Sequence, residues 1–569
     1  MKRRFYSGLM LAGVLALTAC GSNGNTASPS ASSSNAPATA SASASAPAAE
    51  TKPVDVTWFA TAGFWNPPQW KTESGTVSGE ITKKTGLTFS YNIPAQDGDT
   101  KLSLLMVSSS DNFPDVLTTV GPDMSQKLAS SGKVWKLEEF LKQYDPESHI
   151  LKDFPADIKN QLVKRDGDWY AIPSHMVSGD LRKQYPPSSA YYEDTAKYGE
   201  NKGIVINTNI LKQAGLSIED LKTEDGLLAA FTKVKDMKLA VDGQPVIPLQ
   251  VNGKTYHGET LQFLQRTFGA MPIDKDGKFR DILLAPENKH AIEFLFKAAN
   301  GGAFDAGQLT MDNAAVEAAL LSGRVFAFMG NLASAKFDKL DFWVSPGAIL
   351  SNQGTKPVFP FWSQPSSGWM QTFISKSTKE PEKLAKWLSF MTSPEGMTLN
   401  HFGIEGVEYT KDDKGLIVRT EKGIQDQKDS IKTGLDIFWQ FANIAFLENV
   451  QPAPTKREGA GGLIEMEAKT AYGRSPEIVR YDSSVLDLPG SFYAPGGKNV
   501  ALREQIKLYM EAQVSKMLLA KDEAHFNKLY DEYVAQLKKL KVDELDAARD
   551  VELQKRTQEI GVTVKGVNS

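Results

Sequence analysis

The sequence predicts an α/β fold built on a parallel sheet. Strand-like and helix-like stretches alternate early in the body of the chain. With 41% hydrophobic and 23% charged residues, the composition is that of an ordinary soluble globular protein. The body from about Val54 to Ser569 is also long enough for two or three domains, at ~100–200 residues each. Val54-Asp55-Val56-Thr57-Trp58-Phe59 alternates β-branched and aromatic residues and reads as a strand. Gly86 to Ile93 is a second strand. Lys101 to Ser109 has helical spacing through Leu102, Leu105 and Met106. Phe113-Pro114-Asp115-Val116-Leu117 then reads as a short apolar strand. Between the first two strands, the loop Thr61–Trp70 carries Phe64, Trp65, Asn66, Pro67, Pro68 and Trp70. Aromatics around a Pro-Pro pair cannot all share one helical face.

Later segments carry their own signals. Asp166-Gly167 supplies a tight turn before an exit strand through Trp169, Ala171 and Pro173. Pro381-Glu382 opens a helix with Leu384, Trp387, Leu388 and Met391 on one face, and Ser393-Pro394 caps the next. Asp522 caps a helix whose stripe of Phe526, Leu529, Tyr530, Tyr533, Val534, Leu537 and Leu540 is core packing.

Ahead of the body, Lys2-Arg3-Arg4 is followed by an apolar run from Leu9 to Leu17 and by small residues up to Cys20. This is the layout of a secretory signal peptide. The run is shorter than the roughly 20 residues a spanning helix takes. Leu17-Thr18-Ala19-Cys20 resembles the lipobox of bacterial lipoproteins, which implies cleavage before a lipid-carrying Cys20. A plain signal peptide with a chance cysteine is the alternative; Cys20, however, is the only cysteine in the chain. Gly21 to Ala49 has no charged residue and is almost wholly Ser, Ala, Pro, Asn, Thr and Gly. Such a segment cannot bury enough apolar surface to offset its ordering entropy. A flexible linker of about 30 residues has a reach of roughly 30 Å. Residues 1–19 are therefore expected to be the signal peptide, and residues 20–53 the lipidated cysteine and linker.

Several functions lose support. A net charge of -4 gives no basic excess for nucleic acid. One cysteine allows no internal disulfide. His149, His175, His257, His290, His401 and His525 show no metal-ligand spacing, so neither a metal nor a cofactor is expected. Neither a G-x-S-x-G elbow nor a P-loop occurs. Asp274-Lys275-Asp276-Gly277 starts like a calcium loop, but its Gly comes too early and a turn is the better reading.

Six stations along the body resemble, in order, the extracellular solute-binding proteins of carbohydrate ABC transporters. Ser108 to Leu117 is similar to their "GD-x-PDV" stretch, Asp166 to Pro173 to "DGKxYxxP", and Gly203 to Leu216 to "xxYNKDxxxxxGL". Ser322 to Met329 resembles "GKxAM", and Lys386–Gly396 and Gly403–Tyr409 match further stations. Tyr530 to Arg556 is similar to the terminal helices of the large lipoprotein members in Firmicutes. Two positions depart: Asn207-Thr208-Asn209 stands for Asn-Lys-Asp, and Lys541 for a Gly. Neither is an expected ligand contact.

The resemblance implies a two-lobe, periplasmic-binding-protein-like (type II) fold with a hinge and a central cleft. Lobe 1 is expected over 54–173 plus 363–430, and lobe 2 over 174–362 plus 431–569. It also implies a non-catalytic monomer on the outer face of the cell membrane that hands an oligosaccharide to ABC permease subunits. Stacking aromatics are expected from Trp65, Trp70, Trp362 and Trp369, and hydroxyl partners from Asp123, His175 and Asn331. A lipid-anchored polysaccharide enzyme with two carboxylates across the cleft, or a peptide-binding or sensor lipoprotein, are the rival readings.

Overall fold

The structure, a computed structural model, describes residues 52–108, 113–365, 368–455, 461–494 and 496–569. The expected signal peptide, Cys20, nearly all of the linker and residues 109–112 of the first family-like station lie outside these ranges.

Two sheets organise the described chain. The first orders its five strands as Leu87–Asn92, Val54–Ala60, Val116–Val120, Met370–Ile374 and Ala171–Pro173. The first three run parallel, with Val54 opposite Leu87 and Trp58 opposite Val116. Met370–Ile374 is antiparallel to both of its neighbours. Side chains alternate between the faces, as the pleat requires. Val56, Trp58 and Ala60 enter one apolar core, while Phe59 enters another with Leu117 and Phe373. Trp58 anchors the larger core: its ring stacks on Phe438 at 5.9 Å and meets Trp387 edge-on at 5.4 Å.

The second sheet orders Trp343–Val344, Lys202–Asn207, Val325–Asn331 and Ile247–Val251. Its core takes Ile204, Ile206, Phe326 and Phe328, and the C-terminal helices add Phe526, Tyr533 and Leu537 from the expected stripe. Val358–Phe361 and Val479–Asp482 form a parallel ribbon beside the connections between the lobes.

Local signals fold as their chemistry dictates. Leu384, Trp387, Leu388 and Met391 are all buried on Pro381–Thr392, and the Ser393 side chain accepts from the Gly396 N–H. Asp522 likewise caps its helix through the His525 N–H. Asp166-Gly167 differs from expectation. Gly167, at φ 83°, terminates the helix Ala156–Asp166 instead of turning a hairpin.

The lobe boundaries also move. Met176 and Leu181, expected in lobe 2, pack in the first core, and so do Leu435, Ile437, Phe438, Phe441 and Ala445. Nothing local in those segments specifies which sheet they cover. In the first core Phe438 and Phe441 pack on Trp58, and Phe441 also meets Trp387 edge-on.

Candidate functional site

In open α/β sheets, ligands bind beyond the carboxyl ends of the strands. At that end of the first sheet lie the loop after Ala60, Gly121 after Val120, and Ser174-His175 after Pro173. Trp369 joins them because the strand it precedes runs the other way. At the facing end of the second sheet lie Lys202, Asn252 and Asn331. His175 beyond the first sheet and Asp338, in the segment after Asn331, line one cavity, so the two ends share it.

The first-lobe wall is aromatic. Trp369 is 38% exposed and Phe64 is 44% exposed. Their rings lie nearly parallel, with centroids 5.9 Å apart. The His175 ring follows at 5.4 Å from Trp369, and the Trp369 Nε1–H donates to His175 Nδ1 at 2.9 Å. The backbone is shaped to present them. His175 holds a left-handed φ of 51°, a conformation costly for a residue with a Cβ. Gly368 has φ 71°, and a Cβ there would stand 2.3 Å from the Ser174 carbonyl oxygen.

Burial pushes the His175 imidazole down to about 4, helped by the charges of His401 and Lys469. This agrees with Nδ1 acting as an acceptor, which only the neutral ring can do. We expect an NMR titration to place His175 near pH 4 instead of the ordinary 6.5. Between those values the unfolded chain binds a proton that the native protein does not. The contribution of this group to stability therefore falls as pH drops from about 6.5 towards 4. A native midpoint at 6.5 would mean a solvated ring and no Trp369 bond.

A cavity of about 610 Å³ opens beside this wall. His175, Asp436 and Trp439 line it from the first lobe, and Asp338 and Glu465 from the second. Its volume suits a small organic ligand. Trp439 donates its Nε1–H to the Asp436 carbonyl oxygen at 2.8 Å. The Asp436 carboxylate meets His401 Nδ1 at 2.5 Å and accepts from Gln427 Nε2 at 2.9 Å. Burial pushes this carboxyl up, but His401 and Arg419 more than offset it, leaving Asp436 below the usual carboxylate value.

The second-lobe wall is polar. Arg266 pairs with Glu200 at 2.6 Å, and Lys469 with Glu465 at 2.6 Å. Burial lowers Lys202 and raises Glu259, which bonds the Asn331 side chain. Asn331 Oδ1 also accepts from the Ala333 N–H at 3.1 Å, which fixes the side chain.

The sequence-expected residues divide. His175 and Trp369 come together on the first-lobe wall, Asn331 stands on the second, and Trp362 is 58% exposed in the connection between lobes. Three expectations are corrected. Trp65 is fully buried, packs in the core against Trp58 with the rings tilted and 4.9 Å apart, and donates its Nε1–H to the Ile437 carbonyl oxygen at 2.9 Å. Trp70 is partly buried, packs on Phe89 at 4.8 Å and donates to Thr82 Oγ1 at 2.8 Å, so it belongs to the edge of the first core. The Asp123 carboxylate is engaged by Arg503 at 2.7 Å. Phe64 and Trp439 escaped sequence reasoning. Phe64 shares the Trp65 loop, where its aromatic character was visible, but Trp439 in Phe438-Trp439-Gln440-Phe441 carries no periodic signal.

Asp274 Oδ1 accepts from the Asp276 and Lys278 N–H groups, so that stretch is a turn. Among the described residues no group of three or more His, Cys, Asp or Glu is placed to hold a metal ion. Nor is any described helix long and apolar enough to cross a membrane.

Two α/β lobes around an aromatic-and-polar cleft define a two-lobe binding protein. The chain belongs to the bacterial extracellular solute-binding protein family, whose model matches residues 70–398. The fold matches the S. pneumoniae ABC-transporter substrate-binding protein FusA, solved with kestose. The two are 16% identical with a TM-score of 0.64 over 89% of this chain and 100% of that one. It also matches the HMO-binding ABC-transporter-associated solute-binding protein of Bifidobacterium longum infantis, at 15% identity and a TM-score of 0.61 over 89% and 99%. The S. pneumoniae N-glycan transport solute-binding protein NgtS matches at 15% identity and 0.51 over 89% and 99%. No curated protein matches the chain in sequence.

Proposed function

We propose that this protein is a membrane-anchored extracellular lipoprotein that captures an oligosaccharide between its lobes and delivers it to the permease subunits of an ABC importer. The exposed face of Trp369, continued by Phe64 and His175, carries the reading. Sugars present apolar ring faces and hydroxyl edges, which an aromatic wall opposite a polar one complements. Trp362, an exposed ring in the connection, is a further stacking candidate in this reading. The kestose, HMO and N-glycan ligands named for the fold relatives favour sugar over peptide. Cys20 supplies the anchor, and the linker lets the body stand off the membrane. The protein works as a monomer, without cofactor and without catalysis.

A ligand that touches both walls completes its contacts only when the lobes close, so it shifts the population towards closure. Small-angle scattering with a panel of neutral oligosaccharides should show the radius of gyration falling with the sugar that calorimetry finds to bind. An unchanged curve at saturation would leave a rigid cleft and sink the capture mechanism. Cys20→Ala should release the protein from the membrane fraction or block its processing. A variant processed and membrane-bound like the parent would remove the anchor from this reading.

A further inference from the structure

The C-terminal helices Lys498–Leu518, Glu523–Lys539 and Val542–Ile560 bury their apolar faces in the second core. They and the short helix before them also reach the first lobe. Gly490, in the helix Gly490–Tyr493, meets the end of the first-lobe helix Ala156–Asp166. A Cβ on Gly490 would stand 1.8 Å from the Arg165 carbonyl oxygen, so this backbone contact has no slack. Nearby, Lys164 Nζ meets Glu559 Oε2 at 3.0 Å.

A second contact is electrostatic. Arg503 Nη2 donates to Asp123 Oδ2 at 2.7 Å, and Nη1 to Oδ1 at 3.3 Å. Asp123 sits in the first turn of Pro122–Ser130, directly after the first-sheet strand Val116–Val120. Arg503 is held ready: its guanidinium lies 4.2 Å over the Tyr493 ring and pairs with Glu504 at 2.8 Å. The Asp123 side chain is 53% exposed and has no other ion-pair partner among the described residues. Among the described residues, no hydrogen bond or ion pair joins the first-lobe loop 61–66 to the second-lobe loops 252–259 or 331–338.

We propose that the Asp123–Arg503 pair is an electrostatic tie that sets the angle between the lobes in the absence of ligand, with Gly490 against Arg165 as the fulcrum. The tie rests on the reading above only in requiring lobes that move, not in what the cleft binds. A tight backbone contact persists as the lobes turn about it, whereas a side-chain ion pair with a half-exposed carboxylate parts and rejoins. The bidentate geometry fixes one orientation. An exposed pair shifts a two-state equilibrium by no more than about fivefold, enough to bias an angle without locking it. Salt weakens it by screening.

Small-angle scattering of the ligand-free full chain tests this with Asp123→Asn, Asp123→Lys and the swap Asp123→Lys/Arg503→Glu. Asp123→Lys sets two cations face to face and should change the curve, and the swap should return it towards the parent. At high salt the parent should approach Asp123→Asn. Superimposable low-salt curves for the parent, Asp123→Asn and Asp123→Lys would overturn the tie. If the swap fails to fold, the two single variants and the salt series still decide. Since no sugar is present, a failure of the sugar-binding reading leaves these curves unaltered, and the two ideas fall separately.

Discussion

Trp369→Ala is expected to weaken oligosaccharide binding by about 1–3 kcal/mol, a roughly 5- to 150-fold loss. The ring is 38% exposed beside the cleft, with Phe64 nearly parallel to it at 5.9 Å. Its removal takes away the stacking surface and the donor that orients His175. Trp369→Phe keeps a ring but not the N–H, so calorimetry should place it between the parent and alanine. Stability should change little, because the side chain is exposed and its hydrogen bond lies at the surface. Parental affinity in a folded Trp369→Ala protein would show that sugar does not stack here.

Trp65→Ala should do the opposite. We expect it to destabilise the first lobe by about 3–5 kcal/mol, the range for truncating a large buried aromatic. The side chain is fully buried against Trp58 and Tyr91. Its loss leaves a cavity and deprives the Ile437 carbonyl of its indole donor. Thermal and denaturant unfolding read the effect, and a two-lobe chain need not unfold in a single step. A Trp65→Ala protein with parental stability but lost sugar affinity would return Trp65 to the binding site. The two substitutions, one at the first-lobe wall and one in the core behind it, thus separate packing from recognition.

Much of the fold was legible because its signals are local. The alternation in Val54–Ala60, the apolar series on Pro381–Thr392 and the caps at Ser393 and Asp522 act within a few residues of chain. The order of family-like stations carried the two-lobe architecture. The Asp166-Gly167 pair was ambiguous by nature, since a glycine with positive φ ends a helix as readily as it turns a hairpin. The segment from Leu435 to Ala445 gave no local clue to its lobe, because any apolar surface satisfies an apolar face.

The sequence by itself determined the class: an α/β chain with the elements of a solute-binding protein and aromatic-rich loops suited to sugar. Only the tertiary structure decided which aromatics reach solvent. Trp65 and Phe64 are adjacent in one loop, yet Trp65 is sealed by the Ile437 carbonyl, 372 residues away. Asp123 looked free for a ligand until Arg503, 380 residues on, reached it. Exposure is set by what the rest of the chain brings against a side chain, and no periodicity within a few turns encodes a partner that far along the chain.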